Sequence, residues 1–166
     1  MIAAIVVMAQ LPLQLWVEFC CFLLQEEAML FTGDHIMQGS TVVIVPPGGN
    51  MADYMSSLVL LDQFNLESLA PGHGSLVTEP VEWISYLIEH RKQRERKVLA
   101  ALQTHSGASL KQLAAVVYND VSPDLLPVAS VSLWAHLLKL EQEHRAYPGE
   151  SRADFADQLW YDGGGC

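Results

Sequence analysis

Residues 21–58 read CFLLQEEAMLFTGDHIMQGSTVVIVPPGGNMADYMSSL, and the architecture follows from how this stretch alternates apolar runs with tight turns. Residues 19–24 (FCCFLL) form a short apolar run that stops at the turn-like Gln25-Glu26-Glu27. Residues 28–32 (AMLFT) form a second run, stopped by Gly33-Asp34, so the pair predicts a β-hairpin feeding a loop. Residues 41–45 (TVVIV) read as a third strand, closed by two prolines and two glycines. Residues 51–64 have helical spacing, with Asn50 or Asp53 at the start and Asp53 the expected cap.

Beyond that stretch, a short apolar segment at 66–70 ends abruptly in Pro71-Gly72-His73-Gly74. A long helix is expected from Thr78 to about Thr104, with Pro80 tolerated in its first turn and a charged middle at 91–97 (RKQRERK). Ser109 is a good N-cap for a helix reaching Tyr118, and 119–127, with two prolines, reads as a loop. A further helix over 129–144, a turn at 147–149 and a short strand at 158–161 follow. Three helices and a hairpin-like tail are the order of a winged-helix module.

The 166 residues are 51% hydrophobic, enough for a substantial core. Charge is divided sharply along the chain. Residues 1–90 hold ten Asp or Glu and no Lys or Arg, whereas all nine basic residues lie in 91–166 beside nine acidic ones. Such a break predicts two modules with different surfaces, the first of which repels phosphate unless metal offsets its charge. Cys20, Cys21 and Cys166 are too few and too awkwardly placed for a disulfide framework, and reduced, buried thiols are expected. The apolar start at 1–9 lacks the basic flank of a secretory signal and the length of a spanning helix, so the expectation is a cytoplasmic protein with no membrane partner.

Two loops carry candidate chemistry: Phe31-Thr32-Gly33-Asp34-His35 and Pro71-Gly72-His73-Gly74. Each ends an apolar run with a glycine beside a group that binds metal. A carboxylate and an imidazole in tight turns suit zinc or a similar ion, and an Asp can bridge two cations. Taken singly, each signal is weak: a Gly-Asp turn is most often just a turn, and a loop histidine between glycines is more often exposed and idle than a ligand. His35 is expected to stand beside such a site, supporting a ligand rather than holding the ion, or to face solvent. Trp83 and Trp134 read as core, and His90, His105, His136 and His144 as structural or surface residues.

Together these elements resemble a known family. The stretch quoted above, then LAPGHG at 69–74 and YLIEHRKQRERKVLAAL at 86–102, is similar to metallo-β-lactamase-fold hydrolases of the beta-lactamase-like protein 2 group. The resemblance implies an α+β protein: residues 1–90 give the C-terminal half of an αββα sandwich, with 1–18 set aside as foreign to the fold, and 91–166 give a winged-helix-like module. It implies that Asp34 bridges two zinc ions, that His73 ligates one of them, and that the reaction is metal-dependent hydrolysis. Implied substrates are small-molecule esters, thioesters or lactams, or RNA. The family's His-x-His-x-Asp-His motif is absent, and Leu15 stands where another ligand histidine belongs, so a truncated chain of little or no activity is expected. Half a sandwich would leave core surface exposed, which predicts a homo-oligomer. The alternatives are a non-catalytic remnant or interaction module, or an RNA-binding accessory using Arg91, Lys92, Arg94 and Arg96. DNA is not an expected partner, because the would-be recognition helix offers only Lys139 against Glu141 and Glu143.

Overall fold

A computed structural model describes residues 2–7, 19–150 and 155–164, with side chains described from Cys21 onward. Leu15, Cys166 and the rest of 8–18 lie outside the described residues, as does the side chain of Cys20. The chain separates into two compact units, residues 1–42 with 47–91, and 43–46 with 92–166. No helix among the described residues is long and apolar enough to cross a membrane.

The first unit is built on a four-stranded sheet in the order β1 (Ile2–Val7), β2 (Phe19–Leu24), β3 (Met29–Gly33), β4 (Ser68–Pro71). β1 runs antiparallel to β2 with Ile2 opposite Leu24, so residues 2–7 are part of the sheet. β2 and β3 form the expected hairpin, joined by a single 3₁₀ turn that ends at Ala28 in the left-handed region. β4 lies parallel to β3, which requires a crossover, and helix α1 (Met51–Leu61) lies in it. Residues 41–45 form no strand, contrary to the reading of their β-branched run.

Helix α1 buries Met51, Tyr54, Leu58 and Leu61, spaced three and four apart, on one face. Asn50 rather than Asp53 caps it: the Asn50 carboxamide oxygen accepts the N–H groups of Ala52 and Asp53, at 2.8 and 3.3 Å. Helix α2 (Pro80–Thr104) opens on proline, whose missing N–H costs nothing at that position. Pro80, Ile84, Leu87 and Arg91 are its buried residues in the first unit. Trp83 is only partly buried, so it is not core as expected; Trp134 is also partly buried but packs against the second unit's core.

In the sheet, Cys21, Leu30 and Leu69 point inward and are completely buried. Phe22 and Phe31 stand opposite each other on the other face, 45% and 46% exposed. One side of this sheet therefore carries an uncovered aromatic pair.

The second unit contains β5 (Ala108–Ser109), α3 (Leu110–Val117), α4 (Leu126–Gln142), β6 (Ala146–Pro148) and β7 (Leu159–Asp162), with sheet order β5-β7-β6. Ser109 caps α3 in a complete capping box with Gln112. Two expectations change. Residues 123–125 form a 3₁₀ turn and α4 starts at Leu126, so Pro127 sits in a helical first turn rather than a loop. Residues 147–148 belong to β6 rather than a turn; β6 is an edge strand, where a proline's missing donor is tolerated. The core gathers Val98 and Leu102 of α2 with Leu110, Leu113, Leu133, Leu137, Leu140 and Trp160.

Candidate metal-ligand pair at the ends of β3 and β4

Parallel pairing delivers the ends of β3 and β4 to the same edge of the sheet, and the two glycine loops leave from there side by side. The Gly72 N–H donates to the Gly33 carbonyl at 2.8 Å, and the Gln38 N–H donates to the His73 carbonyl at 3.2 Å. Glycine is required at Gly74 and relieves a tight contact at Gly72. A Cβ on Gly72 would lie 3.2 Å from Asp34 Oδ1, and one on Gly74 would lie 2.5 Å from the Gln38 carbonyl at a φ of +96°. The resulting close approach puts His73 Nε2 3.4 Å from Asp34 Oδ1, with the side chains 73% and 61% exposed. The acid and the imidazole picked out in the sequence thus meet at one open rim.

His35, the next residue after Asp34, turns the other way. It is 1% exposed, which excludes the solvent-facing one of its two expected roles, and packs edge-on to the Tyr54 ring at 5.3 Å. Its Nε2 lies 3.0 Å from the Ser57 hydroxyl oxygen. Ser57 gives its only proton to the Tyr54 carbonyl at 2.7 Å, so the histidine must donate from Nε2. Within the same turn the Thr32 hydroxyl donates to the Ile36 carbonyl at 2.9 Å, and the His35 N–H donates to the Thr32 carbonyl at 3.0 Å. These bonds pin the backbone on either side of Asp34 to the core and to α1.

Burial lowers the His35 pKa from 6.5 to about 4. Because the folded value lies below the unfolded one, stability is full above pH 6.5 and is lost as pH falls through about 4. The expected loss between pH 7 and pH 5 is about 2 kcal/mol. Urea unfolding of the wild type and His35→Gln across that range checks this: the variant should lose most of the slope, and parallel pH profiles would show that His35 is not the titrating group.

Asp34 and His73 make two donors, and no group of three or more His, Cys, Asp or Glu side chains among the described residues is placed to hold a metal. Catalytic zinc generally has three protein ligands and a water, so this pair fits part of a zinc site and not a whole one. The sequence also missed the tie from Gln38 to His73, which joins segments far apart in the chain.

The arginine cluster at 91–97 is less available than its sequence suggests. Arg91 is 4% exposed, its guanidinium donating to the Val42 carbonyl. Arg94 stacks on the Tyr118 ring at 4.3 Å and pairs with Asp120 at 3.0 Å. Lys139 of α4 is paired with Glu95 at 2.7 Å and Glu143 at 2.6 Å.

Comparison with known proteins agrees with this architecture. The Beta-lactamase associated winged helix domain family matches residues 109–152. A beta-lactamase-like protein 2 homolog from Drosophila melanogaster is 32% identical over 141 residues, covering 84% of this chain and 46% of that protein. Its counterpart from Caenorhabditis elegans is 35% identical over 109 residues, covering 66% and 35%. The crystal structure of a metallo-beta-lactamase family protein from Thermus thermophilus superposes with a TM-score of 0.71 at 18% identity, over 86% of this chain and 44% of that one; at that identity the likeness is one of fold. The chain spans less than half the length of these relatives. It is related to the beta-lactamase-like protein 2 homologs, and it has a metallo-β-lactamase fold and a beta-lactamase-associated winged helix domain.

Proposed function

We propose that this chain supplies one side of the metal centre of a metal-dependent hydrolase, with Asp34 and His73 as zinc ligands, and that by itself it is inactive or nearly so. The observation that carries this reading is the 3.4 Å approach of the two side chains at the open ends of parallel strands. Bound zinc would lower the pKa of water and polarise a scissile carbonyl or phosphoryl group. What this chain's residues do is hold a carboxylate and an imidazole in position, through the Gly72, Gln38 and His35 ties. Small esters, thioesters or lactams suit the site better than RNA, because every Asp and Glu of residues 1–90 is uncompensated by any Lys or Arg in that stretch.

Zinc titration followed by the His73 ring resonances tests the proposal. The wild type is expected to show a reversible shift that dialysis removes, and Asp34→Ala and His73→Ala each to weaken it about tenfold or more. Tight stoichiometric zinc surviving dialysis would contradict an incomplete site, and silent His73 resonances would end the metal reading.

A second reading, that the chain acts by associating with another polypeptide or with itself, is favoured by the uncovered Phe22–Phe31 pair. The expected outcome is concentration-dependent self-association in size-exclusion chromatography, reduced in a Phe22→Thr, Phe31→Thr variant. A monodisperse monomer at high concentration speaks against it.

A further inference from the structure

Beside the His73 loop, and wholly within the first unit, lies an open cleft of about 460 Å³ whose lining includes Gln38, Leu76, Glu79, Glu82, Trp83 and Tyr86. Its floor is aromatic. Trp83 and Tyr86, three residues apart on α2, stack with ring centroids 5.2 Å apart and planes 28° from parallel. The Trp83 indole N–H donates to the Met37 carbonyl at 3.1 Å, which fixes the ring. Tyr86 stacks on one face of it, and the His90 ring lies 6.1 Å beyond Tyr86, so what the cleft offers is the remaining exposed surface of this stacked pair. Tyr86 is 52% exposed and Leu76 51%. Glu79 and Glu82 stand at the cleft's edge, both exposed, and no ion pair holds either of them among the described residues.

The bland account of Glu79 and Glu82 is that they complement the helix start. A helix N-terminus carries only about half a positive charge, so two full carboxylates leave the cleft negative. The rest of the unit deepens that potential: it has eight further acidic residues, and its single arginine, Arg91, is buried. A fixed aromatic face beside free carboxylates in a negative field is complementary to a planar cation.

We propose that this cleft docks an arginine side chain presented by a partner polypeptide, stacked on Trp83 and Tyr86 and paired with Glu79 or Glu82. The proposal is independent of the metal reading. Openness argues for a side chain carried on a chain rather than a free small molecule, which a site would enclose more fully. The protein uses the same combination internally: Arg94 lies over the Tyr118 ring at 4.3 Å and bonds the Asp120 carboxylate at 3.0 Å.

Nuclear magnetic resonance titration of the whole chain with three blocked tripeptides, Gly-X-Gly with X arginine, citrulline or phenylalanine, tests it. Citrulline keeps the shape of arginine and removes its charge. The Trp83 indole N–H, identified through Trp83→Phe, is the reporter. The arginine peptide is expected to shift that resonance and to bind about tenfold more tightly than the citrulline peptide. A Glu79→Gln, Glu82→Gln variant with an otherwise unchanged spectrum should lose that preference, and Tyr86→Ala should weaken arginine binding about fivefold. Equal binding of citrulline and arginine, stronger binding of phenylalanine, or an arginine affinity untouched by the double variant would each overturn the proposal.

Discussion

Trp160→Ala is expected to cost the second unit about 3–5 kcal/mol and leave it largely unfolded near body temperature. Trp160 is 1% exposed, at the centre of the core formed by α3, α4 and the C-terminal part of α2. It lies on β7, the middle strand of its sheet, opposite Ala108 of β5 and Pro148 of β6. Its carbonyl accepts the Gly107 N–H at 2.8 Å, so the residue also anchors the loop leading into β5. The sheet is small, and its strands of two to four residues cannot stand without the side chain that joins them to the helices. Truncation removes the largest fully buried side chain among the described residues and leaves a void that short strands and well-packed leucines cannot refill. Domain stability is about 5–15 kcal/mol in total, so the loss is a large share. Amide exchange in α3 and α4 measures it; a drop in protection of less than about 1 kcal/mol would mean that the core collapses around the gap.

Residues 19–33 were legible as a hairpin because apolar runs, an acidic turn and a terminating glycine all act locally. α1, α2 and the Ser109 cap were legible for the same reason: spacing and capping are properties of neighbouring residues. The failures share a cause. Residues 41–45 have every local mark of a strand, but pairing is decided by distant chain, and the neighbour that β3 takes is β4, from 35 residues further on. Pro148 was read as punctuation, whereas its edge position makes its missing donor harmless. Asn50 and Asp53 compete for the same cap, and only the backbone geometry decides between them.

The candidate site was legible in its two donors and illegible in what holds them. Asp34 and His73 announce themselves through their glycines, and the sequence placed them at strand ends. Spacing and composition do not say that those strands are neighbours and parallel; only the family resemblance implied that the two loops share one rim. His35 beside Asp34 looked equally fit for solvent or for a role near metal. Its burial depends on Tyr54 and Ser57, which lie on a helix that the sequence does not place against this loop.

Arg91 is where local reading misleads most, and its replacement should show it. In the run RKQRERK it looks like one more charge on a solvated face. In the structure it continues the apolar series Ile84, Leu87, Arg91, its guanidinium donating to the Val42 carbonyl and lying 5.3 Å from the centre of the Tyr54 ring. Arg91→Ala is expected to destabilise the first unit by about 3–5 kcal/mol, combining a lost charge-assisted hydrogen bond, an unpartnered carbonyl and a cavity where the stem lay. Arg91→Met separates these terms. It restores the apolar volume and removes the cost of burying a charge, so the expected loss falls to about 1–2 kcal/mol, most of it from the Val42 carbonyl. Arg91→Lys keeps the charge but not the planar fork, and should fall between the two. Because two units share one chain, a single melting temperature is a poor measure, and the test is amide exchange in α1, which reports the first unit alone. The order alanine, lysine, methionine from worst to best is the expected result. Equal losses for all three would show that the guanidinium's own contact carries the whole effect and that stem volume and bare charge contribute nothing, and a silent alanine variant would mean that Arg91 swings out to solvent.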